Sequence, residues 1–155
     1  MFGNKLFIVS SELYSLNHRC SFYFSIQLKF RIILKVMVCG DRIGWRENSR
    51  KIIIVSTDRD YHFAMDGKLA GIFRPNDGEC HLNNTGSGSG FYTEAEVLDY
   101  PSVSHINSVA QLNNFIIIFA VTEQYQEAYS ALSERITGSK VSAAKNIKAK
   151  NSYDK

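Results

Sequence analysis

The sequence has little of what marks the more specialised protein classes. Proline occurs only twice in 155 residues, which excludes collagen-like and mucin-like chains. A surplus of either charge is also lacking, since 18 basic against 15 acidic side chains leave a net charge of +3. That balance predicts no dense basic face, so neither nucleic acid nor an anionic membrane is expected as a partner. Long apolar runs are missing too. The richest stretch, residues 22–39, is broken by Ser25, Gln27, Lys29, Arg31 and Lys35, whereas a bilayer span needs roughly 20 apolar residues. Residues 5–9 (KLFIV) resemble the start of a signal peptide only faintly, because Ser, Glu and Asn follow before an adequate apolar segment develops. Neither a signal peptide nor a transmembrane segment is therefore read from the chain. Cysteine is scarce. Cys20, Cys39 and Cys80 are too few for a disulfide scaffold and lack close metal-ligand spacing. They allow one bridge with a thiol left over, or no bridge.

What is present suits a single globular core: 45% apolar residues and 21% charged ones in a chain too short for two ordinary domains. Residues 52–56 (IIIVS) and 115–121 (FIIIFAV) are continuous, β-branched apolar runs of the kind found in strands covered on both faces. Helices surround the second run. Pro101 suits a helix N1 position, and Val103, Ile106 and Ala110 space an apolar face after it. Thr122 can cap a following helix with Glu123 in its first turn. Tyr125, Ala128, Tyr129, Leu132 and Ile136 recur at near-helical spacing, and Gly138 suits the position just past the end. Strand, helix, strand, helix predicts a parallel α/β architecture. Earlier in the chain, SFYFSIQLKFRIIL alternates like a strand, yet residues 31–39 fit the end of a buried helix equally well. PNDG at 75–78 is a turn; TGSGSG at 85–90 lacks the GK[ST] ending of a phosphate loop. After Ser139 the tail is polar, with residues 141–144 fit for a short edge strand.

Among candidate site residues, Asp58 leads. It follows IIIVST, at the carboxyl end of an expected central strand, where open parallel sheets place ligands. A carboxylate there, with Thr57 as a nearby oxygen source, can bind a hard cation, although spacing alone favours a turn aspartate. His62 and His81 are isolated from any metal-binding cluster. Asp58, Asp60 and Asp66 do not complete an EF-hand loop, and Glu94 with Glu96 forms no acid–base pair. Ser56 lacks the surroundings of a hydrolase nucleophile, so no enzyme is expected. Trp45, Tyr100, Tyr125 and Tyr129 are read as packing residues. Asn83-Asn84-Thr85 forms a glycosylation sequon, which matters only on the secretory route.

The segment CGDRIGWRENSRKIIIVSTDRDYHFAMDGKLAGIFRPNDGEC (39–80), with DYPSVSHIN (99–107) and IIIFAVTEQYQEAY (116–129), closely resembles part of the ligand-binding βI domain of integrin beta subunits, a von Willebrand factor A-like domain. The resemblance covers roughly residues 35–140. It implies a Rossmann-like, partial open parallel sheet flanked by helices, with the first strands missing, an unmatched segment 1–34 and a polar tail 141–155. Cys39 and Cys80 match two cysteines that the family joins, which implies an oxidising compartment and leaves Cys20 over. Asp58 matches the aspartate of the family's STD sequence, part of a cation-dependent adhesion site that takes Mg²⁺, with Mn²⁺ or Ca²⁺ as alternatives. The family's D-x-S-x-S motif and its acidic segment do not occur, and Arg59 follows the aspartate, so cation binding by this chain is expected to be weak or absent. The implied function is that of a fragment of a cell-membrane adhesion receptor, its domain extracellular, paired with an integrin alpha subunit and binding matrix or cell-surface proteins. The alternative is a metal-independent, soluble protein-interaction module of the same fold.

Overall fold

Isoleucine, valine and phenylalanine crowd two short stretches, and such side chains favour a pleated backbone. The computed structural model describes residues 5–10, 29–45, 49–83 and 92–144, and in it these stretches are the central strands of a four-stranded sheet. The strands are β1 (Lys5–Ser10), β2 (Lys51–Thr57), β3 (Phe115–Thr122) and β4 (Lys140–Ala144), in spatial order 1-2-3-4. Every neighbouring pair runs parallel. Parallel neighbours require crossovers, and these carry the helices. Helices α1 (Lys29–Val38) and α2 (Gly40–Ile43) precede β2, α3 (Val103–Leu112) precedes β3, and α4 (Gln126–Ser133) precedes β4. The architecture is a partial parallel sheet flanked by helices.

Register decides which side chains share a face. Ile53, Val55 and Thr57 stand beside Ile117, Phe119 and Val121, and all six are buried. The alternate set, Ile52, Ile54 and Ser56 with Ile116, Ile118 and Ala120, points to the other face and is only half-buried. Among the described residues this second face is less fully covered than the first. The described core lies on one face, where Phe30, Ile33 and Met37 of α1, Ile106 and Ala110 of α3, and Tyr129 and Leu132 of α4 meet the sheet residues. Aromatic rings bind the layers: Tyr129 lies 5.3 Å from Phe119, Tyr61 bridges Tyr129 and Phe30 at 5.2 Å from each, and Trp45 meets Phe115 edge-on. Trp45 also donates its indole N–H to the Val36 carbonyl (2.7 Å), the packed anchor expected of it.

Several local starts differ from expectation for identifiable reasons. Residues 29–38 are helix, which decides between strand and helix for that part of the alternating segment; residues 21–28 lie outside the described set. Ser102, not Pro101, ends the turn before α3: its hydroxyl accepts from the His105 amide, and Pro101 sits one residue earlier, buried. Thr122 caps only a 3-10 turn, Glu123–Tyr125, without a side-chain hydrogen bond, and α4 begins after it. Helix α4 stops at Ser133, so Ile136 reaches the core from the turn that follows. Gly138 has φ +80, a conformation that side chains resist. Residues 5–10 form β1 beside β2.

Candidate functional site

At the carboxyl end of β2 the chain turns sharply. Buried Thr57 fixes the turn: its hydroxyl accepts from the Arg59 amide at 3.1 Å. The hydroxyl of Tyr129 donates to the Arg59 carbonyl at 3.1 Å, tying the turn to α4, and burial pushes the ionisation of that phenol upward. Asp60 accepts from the Tyr61 amide at 2.8 Å. Asp58, Arg59 and Asp60 are exposed on this turn, so Asp58 stands at the sheet's carboxyl end. On the neighbouring strand, the buried Thr122 hydroxyl oxygen has no hydrogen-bond partner among the described residues. One carboxylate and one spare hydroxyl fall short of the six or more oxygens that a hard cation collects. Among the described residues no three His, Cys, Asp or Glu side chains converge as ligands, so these residues alone do not fit a cation site.

The next loop is built differently. After Tyr61 the chain forms a 3-10 helix, Asp66–Ala70, bounded by Met65 at φ 90 and Gly71 at φ 77. Four large apolar side chains stand exposed on this loop, Leu69 within the helix and Phe63, Met65 and Phe73 flanking it, with Leu69 at 94% of its full exposure. Lys68 is exposed among them. The Asp66 carboxylate accepts from the Phe63 amide (3.2 Å) and pairs with His62 Nδ1 (3.1 Å). The His62 ring stacks on Tyr100 at 5.0 Å. The PNDG turn follows, with Asn76 Oδ1 accepting from the Gly78 amide and Asp77 meeting both the Glu79 amide and His81. It ends at Cys80, which is bonded to Cys39 across 41 residues with Cα atoms 5.1 Å apart.

The structure does not gather the sequence candidates into one centre. His62 and Asp66 belong to the apolar loop, and His81 and Asp77 to the turn after it. Asp58 and Asp60 sit on the β2 turn, Ser56 is half-buried within β2, and Glu94 and Glu96 lie in the turn before Leu98. Asn83 is half-buried; Asn84 and Thr85 fall outside the described residues, as does Cys20. The apolar loop was not picked out from the sequence, although Phe63, Met65, Leu69 and Phe73 around Gly67 and Gly71 were a usable signal. Sequence reasoning also took Arg31 and Lys35 as mere interruptions. Both are 4% exposed on α1, with Arg31 over the Tyr100 ring and Lys35 3.5 Å from the centre of the Tyr92 ring.

A parallel sheet with connecting helices is the architecture of a von Willebrand factor A-like domain, and comparison with known proteins identifies its kind. Residues 27–153 match the model of the integrin beta chain VWA domain. The chain is similar to integrin beta-1 of Gallus gallus, 43% identical over 139 residues covering 90% of this chain and 16% of that protein. It is also similar to integrin beta-PS of Drosophila melanogaster (47% identical, covering 75% of this chain and 13% of that protein) and integrin beta pat-3 of Caenorhabditis elegans (42% identical, covering 69% and 13%). This chain belongs to the integrin beta family. It spans about one-seventh of the length of these relatives. Among the described residues no helix is long and apolar enough to cross a membrane.

Proposed function

We propose that this segment works as a protein-interaction module in the extracellular part of an adhesion receptor, and that its loop 61–74 docks onto an integrin alpha chain. The observation carrying this reading is the exposure of Phe63, Met65, Leu69 and Phe73 together on one loop, around Lys68. Clustered exposed apolar side chains on a hydrogen-bonded loop favour a protein partner, and a central cation favours one offering aromatic rings or acids. The Cys39–Cys80 bridge supports an oxidising, extracellular setting, in which Asn83 would be available to glycosylation. Recognition of matrix or cell-surface proteins then belongs to the assembled alpha/beta receptor.

The test is capture of an integrin alpha-chain ectodomain by this chain. Leu69→Asp is expected to weaken capture by about tenfold or more. Leu112→Asp, at an exposed residue ending α3, is expected to leave it unchanged. Equal capture by both variants and the parent chain would refute the docking role.

A second reading concerns Asp58, whose exposed place at the carboxyl end of β2 favours a share in a Mg²⁺ site, with Mn²⁺ or Ca²⁺ as substitutes. In that reading the remaining ligands come from outside the described residues, and this chain by itself recognises partners without a cation.

A further inference from the structure

We infer that Asp99 is the positioning residue of the docking loop: its buried carboxylate gathers the amides of Met65 and Gly67 and so presents Leu69 and Phe73 in one shape. The docking reading gives this its function; its mechanism rests on the loop's own geometry.

Asp99 is 6% exposed. One carboxylate oxygen accepts from the Met65 amide at 2.6 Å; the other accepts from Gly67 at 2.8 Å and from Tyr100 at 2.7 Å. The amide of Asp99 donates to the Arg74 carbonyl at 2.8 Å, and its own carbonyl accepts from the Asn76 side chain at 3.2 Å. A single residue thus holds both limbs of the loop, 65–67 on entering and 74–76 on leaving. Hydrogen bonds to a carboxylate are stronger than those between neutral groups. Because the loop's four large apolar side chains are exposed, they contribute little burial to its shape, and the clamp ties both limbs to the rest of the fold.

Two further observations single out the same contact. Met65 has φ 90, a conformation rarely adopted by residues with a side chain and kept only where surroundings enforce it. At Gly67 a Cβ would run into the Asp99 carboxylate, so the close approach of backbone to acid needs glycine. Asp99 is in turn held from the core. Arg31 of α1 donates to the carbonyls of Ala95 and Leu98, at 2.5 and 2.7 Å, and covers the Tyr100 ring at 4.1 Å.

Asp99→Asn preserves size but turns one acceptor into a donor that opposes an amide. In this variant the amides of Met65 and Gly67 should exchange with solvent on the order of tenfold faster, and trypsin should cut after Lys68 faster by a similar factor. The amides of Ile53, Val55 and Phe119 should exchange as before. Gly67→Ala, which displaces the carboxylate without removing it, should loosen the same two amides. Adding Met65→Gly to Asp99→Asn removes the strain at φ 90 and should restore part of the protection, a response that general destabilisation would not give. Unchanged exchange at Met65 and Gly67 in Asp99→Asn, or equal acceleration across the sheet, would overturn the positioning role. If the loop loosens while alpha-chain capture ignores both Asp99→Asn and Leu69→Asp, positioning stands and docking falls.

Discussion

Lys35 is a lysine placed where a hydrocarbon would serve the core better. It is 4% exposed, four residues from Arg31 on the same helix, with the Tyr92 ring against its ammonium. Burial first, and the Arg31 charge second, pull its pKa from 10.5 to about 7. The unfolded chain therefore holds that proton more tightly between about pH 7 and 10.5, and stability contributed at this site rises with pH across that window and levels off below it. The urea midpoint should climb between pH 7 and pH 9 in the parent chain and climb less in Lys35→Met. At pH 7 the methionine variant should be the more stable by about 1–3 kcal/mol. Parallel curves for the two proteins would refute the assignment. None of this was legible in the sequence, where Arg31 and Lys35 only appeared to break an apolar run. Asp99 was equally hidden, because its partners are backbone amides 32 and 34 residues earlier, and no side-chain pattern reports them.

Elements were easier to read where one period dominated. The runs ending in Thr57 and Thr122 are strands, the Ile106–Ala110 face belongs to a helix, and the polar tail does open with a short strand, Lys140–Ala144. Residues 29–38 were ambiguous because FRIILKVMV satisfies a period of 2 and a period of 3.6 together; packing on the sheet made the choice. Between elements, the disulfide is the chief covalent tie, joining the residue after α1 to the end of the PNDG turn. A closed loop of 41 residues lowers the entropy of the unfolded chain enough to stabilise the fold by about 4 kcal/mol on the chain-entropy account. Replacing Cys39 and Cys80 together by alanine should lower unfolding free energy by up to that amount, measured with urea under non-reducing conditions. A loss below about 1 kcal/mol would mean that the 49–83 region is held chiefly by other contacts.

For the whole molecule, resemblance to a family said more than periodicity could. It named the architecture and the family, whereas composition excluded classes without choosing among α/β proteins. The candidate cation site was the least legible part, because a metal site is a meeting of distant side chains and the sequence offered one member. Here the described residues supply Asp58 and an orphaned Thr122 hydroxyl without a ligand cluster. Calorimetric titration of this chain with Mg²⁺ or Mn²⁺ should accordingly show no tight, stoichiometric uptake. Tight one-to-one binding abolished by Asp58→Ala would instead show a competent centre within the 155 residues.

The all-parallel order of the sheet has a consequence for how the molecule is made. β1 ends at Ser10, yet its neighbour begins at Lys51, and the ribbon beyond that begins only at Phe115. On the ribosome each early ribbon emerges long before the one it must lie beside, and such distant pairings form slowly. Newly synthesised chains therefore hold the isoleucines of Lys51–Thr57 without their later neighbour until Phe115–Thr122 emerges, an interval in which aggregation competes with folding.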